Sequence, residues 1–203
     1  METTLNKLYE QAIWVGRAIF ERNKTSGSSA NMSFRYEDKI YVTASGTCFG
    51  SLTKDSFSIV SLTGEVLSKN KPSKELPLHL TMYQTDGIQA VIHTHAFYAT
   101  VISCFKPDNA DDLIPSYTPY LNMKLGKIKW IPYAPPGSKE LFALFAKHTD
   151  GRKGYILGNH GPIVGDKSIL NAFYALEELE ESCHIAWELD KSLYQRSKLL
   201  KIK

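Results

Sequence analysis

Cysteine is scarce in this chain of 203 residues, which contains only Cys48, Cys104 and Cys183. These three are far apart and show no paired spacing, so we expect neither a disulfide framework nor a thiolate metal site. No apolar run approaches the length of about 18 residues that a membrane-spanning helix needs. Residues 1–4 carry neither the basic segment nor the apolar run of a secretory signal. The sequence therefore predicts a cytoplasmic protein with no membrane partner.

A large excess of one charge is also missing. The chain has 24 basic and 21 acidic residues and a net charge of +3. Five basic residues and no acidic ones fall in the last 13 positions, which leaves 19 basic against 21 acidic in the body. A nucleic-acid-binding domain needs a basic face on its folded body, so we expect no nucleic-acid partner. We interpret the segment from about residue 191 as a basic helix end or solvated tail, with Lys191, Arg196, Lys198, Lys201 and Lys203.

Two hydrophobic periodicities alternate along the chain, without a linker or an internal repeat, and predict a single domain over residues 1–203. Apolar residues at three- and four-residue steps predict helices, and short alternating runs predict strands and hairpins. Because hairpins are mixed with crossover helices, we expect an α/β fold with a mixed sheet covered by helices. The predicted elements that matter below are helices at 5–20, 75–85 and 168–193, hairpins of 31–35 with 39–43 and of 57–60 with 65–67, and strands at 90–95, 154–157 and 163–164.

The strongest local pattern is His93-Thr94-His95, which ends an apolar run predicted as a strand. Residues two apart in a strand point to the same face, so both imidazoles can converge on one ion. The alternative is an accidental pair of polar side chains at a sheet edge. A catalytic zinc site usually has three protein ligands, and His160, in a Gly-Asn-His-Gly turn, is the natural third. Nitrogen ligands without cysteine favour zinc or a similar divalent ion, one per chain.

Glu75 is the second residue with predicted chemistry, because it begins a predicted helix beside the Pro-Ser-Lys turn. A carboxylate at that position also stabilises the helix through the macrodipole, which is the purely structural alternative. His79 lies four residues further on, on the same helix face, where it either supports the site or is solvated.

Small polar turns form the third feature, at residues 26–31, 45–47 and 73–74. Hydroxyls and backbone N–H groups in such turns can bind anions. Neither the phosphate-binding loop with Gly-Lys-Ser/Thr nor the Gly-x-Gly-x-x-Gly fingerprint occurs in the chain. Each turn alone is an ordinary loop, but together they predict an anionic, phosphorylated ligand.

The segments Gly-Ser-Ser-Ala-Asn-Met-Ser, Thr-Ala-Ser-Gly, Pro-Ser-Lys-Glu, His-Thr-His and Gly-Asn-His-Gly occur in this order. In combination they resemble the class II aldolase/adducin family, over about residues 5–190. The resemblance implies a three-layer α/β fold with a mixed, largely antiparallel sheet covered by helices. It also implies a homotetramer with active sites near subunit interfaces. The adducin branch lacks the full set of metal-binding residues, so their presence here favours an enzyme.

The resemblance also implies roles for individual residues. His93, His95 and His160 correspond to the zinc ligands. Glu75 corresponds to the acid/base glutamate, which can also occupy the metal when substrate is absent, and Tyr120 falls close to a tyrosine that donates a proton in the aldolases. The implied phosphate-binding residues are Ser28, Asn31, Ser45, Gly46, Ser73 and Lys74.

Two departures from the aldolases point to one branch of the family. Ala30 stands where the aldolases usually have Gly, and Lys74 stands where the fuculose enzyme has a second Ser. Residues 72–75, 117–126 and 158–162 are similar to enzymes that convert 3-oxo-tetronate 4-phosphate into dihydroxyacetone phosphate and CO₂ through a zinc-stabilised enediolate. The implied substrate is a small phosphorylated sugar acid. The alternatives are an aldolase that cleaves a sugar phosphate such as fuculose 1-phosphate, and a non-catalytic adducin-like interaction module.

Overall fold

The computed structural model describes residues 3–191, so Arg196, Lys198, Lys201 and Lys203 of the predicted basic tail lie outside the described residues. No helix in the described range is both long enough and apolar enough to cross a bilayer. The helices are α1 (Thr4–Glu21), α2 (Leu76–Met82), α3 (Phe97–Ser103), α4 (Tyr120–Lys124), α5 (Lys139–His148) and α6 (Ile169–Lys191). The strands are β1 (Asn31–Tyr36), β2 (Lys39–Thr43), β3 (Phe57–Ser61), β4 (Ala90–His93), β5 (Lys129–Ile131), β6 (Gly154–Leu157) and β7 (Gly161–Asp166).

The seven strands form one sheet in the order β3-β2-β1-β4-β7-β6-β5. Every neighbouring pair is antiparallel except β5 and β6, which are parallel. The register brings three distant parts of the chain side by side at one end of the central strands. His93 pairs with Asn31 of β1 on one side and with Ile163 of β7 on the other.

Helices cover both faces of the sheet, because side chains alternate between the faces along each strand. In β4, Ile92 faces the core beneath α1, α3, α4 and α6, whereas Val91 faces the core beneath α2 and α5. Phe173 of α6 belongs to the first core, and Phe145 of α5 belongs to the second. The arrangement of helices, sheet and helices confirms the expected three-layer α/β fold with a mixed, largely antiparallel sheet.

Three local predictions were wrong. Strand β4 ends at His93, so His95 lies outside it and the same-face argument does not apply to the pair. Residues 65–67 form no strand and contribute only an isolated bridge between Val60 and Val66. Strand β7 is longer than the predicted 163–164, because glycine and proline at its start obscure the pattern of alternation.

Helix α3 follows the His93–His95 segment directly, and α6 holds its first turn in place. Glu180 of α6 is only 3% exposed, and its carboxylate accepts hydrogen bonds from the backbone N–H groups of Tyr98 (3.0 Å) and Ala99 (2.9 Å). The Tyr98 ring also stacks on His184 of α6, with ring centroids 3.9 Å apart. The start of α3, and with it the backbone after His95, is therefore anchored to a buried carboxylate.

We expect Glu180→Ala to lower the free energy of unfolding by about 2–3 kcal/mol, because it leaves two N–H groups at the start of α3 without their charged acceptor. Urea unfolding at neutral pH measures the effect. Glu181→Ala is the matched control, since Glu181 is the next residue of α6 and is exposed. Equal stability of the two variants would contradict the anchoring role of Glu180.

Candidate functional site

Two turns meet at the end of the central strands, one after β4 and one before β7. Asn159 has a positive φ of 52°, which asparagine tolerates better than most residues, and Gly161 has a φ of 154°. A Cβ atom at Gly161 would overlap the carbonyl oxygen of Thr94, so glycine permits the two backbones to approach closely. His160 lies between Asn159 and Gly161 in the chain, and this contact places it beside His93.

The three histidines converge at this point. Their ring nitrogens lie within 4.8 Å of one another, and the Nε2 atoms of His93 and His160 are 3.2 Å apart. His93 is completely buried, His160 is buried, and His95 is half-buried. The Nδ1 atom of His93 lies 2.8 Å from the carbonyl oxygen of Pro162. Because a carbonyl only accepts, Nδ1 carries the hydrogen, and Nε2 presents a bare lone pair to the cluster.

Glu75 completes the cluster from the N-cap position of α2. Its Oε2 atom lies 3.3 Å from Nε2 of His93, and its Oε1 atom lies 3.3 Å from Nε2 of His160. Oε2 also accepts a hydrogen bond of 2.9 Å from the side-chain amide of Asn31. The side chain of Glu75 makes no cap hydrogen bond to α2. Its carboxylate therefore serves the histidine cluster rather than the helix terminus.

Burial sets the protonation states in this cluster. It lowers the pKa values of His93, His95 and His160, the last to about 4, so the three rings are neutral at pH 7. Burial also opposes ionisation of Glu75, but the hydrogen bond from Asn31 stabilises the carboxylate, and the pKa of this carboxyl lies below its ordinary value. Imidazoles bind a metal ion when they are neutral, and carboxyl groups bind one when they are ionised, so all four groups are in the protonation states that metal binding requires.

The donor set fits a divalent cation. The bare Nε2 atom of His93 and the Glu75 carboxylate are both acceptors, yet they face each other at 3.3 Å. A cation among these lone pairs would remove their mutual repulsion. The 3.2 Å between the two Nε2 atoms is also close to the roughly 3.3 Å between neighbouring nitrogen ligands of a tetrahedral zinc ion.

A cleft of about 370 Å³ opens beside the cluster. All six residues predicted to bind phosphate line it, and so do Glu75, His95 and His160. Pro136 and Gly137, from the loop between β5 and α5, form a wall that the sequence analysis did not predict. The Pro-Pro-Gly turn was a local indication of a loop, but only the tertiary structure places it here. The complete lining is Ser28, Ser29, Ala30, Asn31, Ala44, Ser45, Gly46, Ser73, Lys74, Glu75, His95, Pro136, Gly137 and His160.

The cleft residues differ in how much of their polar capacity remains free for a ligand. Both polar atoms of the Asn31 side chain are engaged, one with Glu75 and one with His79. Lys74 is exposed, and a Cβ atom at Gly137 would lie only 3.6 Å from its Cβ atom. Lys74 is the one lysine or arginine among the described residues that line the cleft.

Tyr120 is not among the described residues that line the cleft. It begins α4, on the opposite face of the sheet from α2, and its side chain is 58% exposed. Two further histidines also lie elsewhere. His148 donates a 2.8 Å hydrogen bond to the Leu144 carbonyl oxygen, and His184 stacks on Tyr98.

Comparisons with known proteins agree with this geometry. The family model "Class II Aldolase and Adducin N-terminal domain" matches residues 10–187. A 3-oxo-tetronate 4-phosphate decarboxylase from Pectobacterium atrosepticum is 36% identical over 88% of this chain and 83% of that protein. The crystal structure of YgbL from Escherichia coli superimposes with a TM-score of 0.89 at 30% identity, covering 97% of this chain and 94% of that one. An L-fuculose 1-phosphate aldolase superimposes with a TM-score of 0.84 at 30% identity, covering 100% and 92% of the two chains.

We expect the purified protein to bind about one divalent ion per chain, because three neutral imidazoles converge on a single point. His93→Ala should abolish stoichiometric binding, as measured by elemental analysis after dialysis and by calorimetric titration with Zn²⁺. His148→Ala removes an imidazole outside the cluster and should bind as the wild type does. Full occupancy in His93→Ala would show that the ion binds elsewhere.

Proposed function

The chain belongs to the class II aldolase and adducin family, and from this premise we propose that it is a zinc-dependent lyase that decarboxylates 3-oxo-tetronate 4-phosphate. The observation that carries the proposal is the layout of the cleft. Its lining combines neutral histidines and a carboxylate suited to a divalent cation with serine hydroxyls and the cationic side chain of Lys74. A small substrate with a carbonyl at one end and a phosphate at the other matches both.

The polar end of the cleft supports phosphate binding. Ser28, Ser45 and Ser73 supply hydroxyl donors, and Lys74 supplies a positive charge that a serine at the same position would lack. Binding the phosphate away from the reacting carbons orients the substrate without taking part in bond cleavage.

His93, His95 and His160 would hold the zinc ion. When bound, it supplies a Lewis acid that stabilises the negative charge developing on the substrate's carbonyl oxygen. Decarboxylation breaks the bond between the carboxylate carbon and its neighbour and leaves an enediolate. One proton from solvent must then reach the carbon that has lost CO₂. Glu75 borders the cleft and is the group that would pass on this proton.

Aldol cleavage of a sugar phosphate is the second candidate, favoured by the structural similarity to the L-fuculose 1-phosphate aldolase. Both reactions break a carbon–carbon bond next to a carbonyl and leave the same enediolate of dihydroxyacetone phosphate. We further propose that the protein is a cytoplasmic homotetramer. In such an assembly the exposed Tyr120, which is remote from its own cleft, could act as a proton donor only in the cleft of another copy.

The reaction is tested by supplying one Zn²⁺-loaded preparation with 3-oxo-tetronate 4-phosphate and, separately, with fuculose 1-phosphate. We expect CO₂ and dihydroxyacetone phosphate from the first and poor cleavage of the second. The same sugar acid without its phosphate should react poorly, because it loses the contacts with the serines and Lys74. Efficient aldol cleavage without CO₂ release would overturn the decarboxylase proposal in favour of the aldolase.

We expect Glu75→Gln to lower turnover by about 100-fold or more, as loss of a general acid/base does. The free energy of unfolding should change by no more than about 2 kcal/mol, the upper range for a charge at a partly buried helix start. Glu140→Gln is the matched control, because Glu140 is an exposed acidic residue in the first turn of α5. Near-normal turnover of Glu75→Gln would leave this residue with a structural role only.

A further inference from the structure

A continuous chain of buried hydrogen bonds extends from Glu75 away from the cleft. The amide nitrogen of Asn31 is 2.9 Å from Glu75 Oε2, and its oxygen is 2.6 Å from Nε2 of His79. Nδ1 of His79 is 2.7 Å from the Ser33 hydroxyl, which is 2.7 Å from the Tyr83 hydroxyl. His79 is fully buried, and Ser33 and Tyr83 are 1% and 5% exposed. A buried polar chain of this length is costly unless every member is paired.

The five residues come from two elements whose spacings match. Glu75, His79 and Tyr83 are four residues apart, at the N-cap, in the middle and at the C-cap of α2, which corresponds to about 6 Å per step. Asn31 and Ser33 are two residues apart on one face of β1, about 6.6 Å per step. The side chains therefore alternate between helix and strand along the chain of hydrogen bonds. Arg35, two residues further along β1, continues the series by donating to the Tyr83 carbonyl oxygen at 3.1 Å.

The charge of Glu75 sets the direction of every bond in the chain. A carboxylate only accepts, so the amide nitrogen of Asn31 must face it, and the amide oxygen must face His79. That oxygen requires a hydrogen on Nε2 of His79, which leaves Nδ1 as an acceptor. Ser33 then donates to Nδ1 and accepts from Tyr83. Burial lowers the pKa of His79 to about 3, so the ring is neutral and has one hydrogen to donate.

We propose that His79 is a positioning residue, which holds the Asn31 amide with its N–H toward Glu75 and thereby holds the Glu75 carboxylate in the orientation that proton transfer requires. This inference rests on the proposed function in so far as Glu75 transfers a proton. Asn31 thus holds the Glu75 carboxylate in addition to lining the cleft. Without the hydrogen bond from His79, only the bond to Glu75 fixes the Asn31 amide, so the amide and the carboxylate can move together out of this orientation.

Two amide substitutions separate positioning from packing. Glutamine places its amide nitrogen about where Nε2 of histidine lies, so His79→Gln keeps the donor to Asn31. Asparagine is shorter and places its amide about where Nδ1 lies, so His79→Asn keeps a partner for Ser33 but loses that donor. Both variants introduce an amide at the same buried position. If His79 had a merely structural role, both substitutions would therefore disturb it.

We expect His79→Asn to lower kcat about tenfold or more with KM nearly unchanged, because substrate contacts remain while a group acting in the transition state is misplaced. His79→Gln should stay within about threefold of the wild type. Zinc content and melting temperature are measured on each variant. Leu78→Ala is the stability control, since Leu78 is fully buried beside His79 on α2 but faces the apolar core. Equal losses of kcat in His79→Asn and His79→Gln would overturn the proposal. It would also be overturned if Leu78→Ala, at equal destabilisation, lost as much kcat as His79→Asn.

A second measurement does not depend on activity. The ¹⁵N chemical shifts of the His79 ring in the zinc-loaded wild type should report a neutral ring with its hydrogen on Nε2. A hydrogen on Nδ1 would prevent donation to Asn31 and overturn the positioning role. If the wild type fails to decarboxylate the substrate, the proposed reaction fails, while the ring's tautomer still decides whether His79 donates to Asn31.

Discussion

A carboxylate and two imidazoles are held within 3.3 Å of one another where water is nearly excluded, and much of the surrounding structure serves to maintain this contact. Unsupported, such a group of acceptors would separate or take up protons. Strands β4, β7 and β1 hold the group together, because β4 lies between the other two in the sheet. The hydrogen bond from His93 to Pro162 and the close approach of Gly161 to Thr94 join two of them. The third is joined through Asn31, which pairs with His93 in the sheet and donates to Glu75.

The two buried glutamates, Glu75 and Glu180, differ in how their carboxylate oxygens are hydrogen-bonded. Both oxygens of Glu180 accept backbone N–H groups at the start of α3, so this carboxylate is occupied on both sides. Among the described residues, Glu75 Oε2 accepts a hydrogen bond from the side-chain amide of Asn31, whereas Oε1 faces the neutral imidazole of His160 beside the cleft. The first arrangement gives rigidity to the segment after His95. The second leaves an oxygen free to exchange a proton or to bind a cation.

Local patterns were sufficient to predict the histidine cluster, but the reason given for one pair was wrong. His93 and His95 were expected to share a strand face, yet β4 ends at His93, and the turn beyond it brings His95 to the cluster. The phosphate-site residues were predicted from the family resemblance, and all of them do line one cleft. Pro136 and Gly137 could not be placed there, because nothing local shows which loop covers a cleft. His79 was left undecided for the same reason: its spacing from Glu75 was visible, but its partners are 46 and 48 residues away on β1.

The cluster by itself cannot decide between the two candidate reactions, because both leave an enediolate of the same ketone phosphate. What differs is the fragment that departs and the charge that moves. An aldehyde leaves without charge, whereas a departing carboxylate gives up its negative charge to the enediolate oxygen. In the proposed decarboxylation, charge therefore moves onto the enediolate oxygen, while the phosphate keeps its charge. Lys74 would offset the charge that stays, and an ion held by His93, His95 and His160 would offset the charge that arrives. Because both candidate substrates carry a phosphate and leave the same enediolate, selectivity between the two reactions would depend on the part of the cleft that contacts the departing fragment.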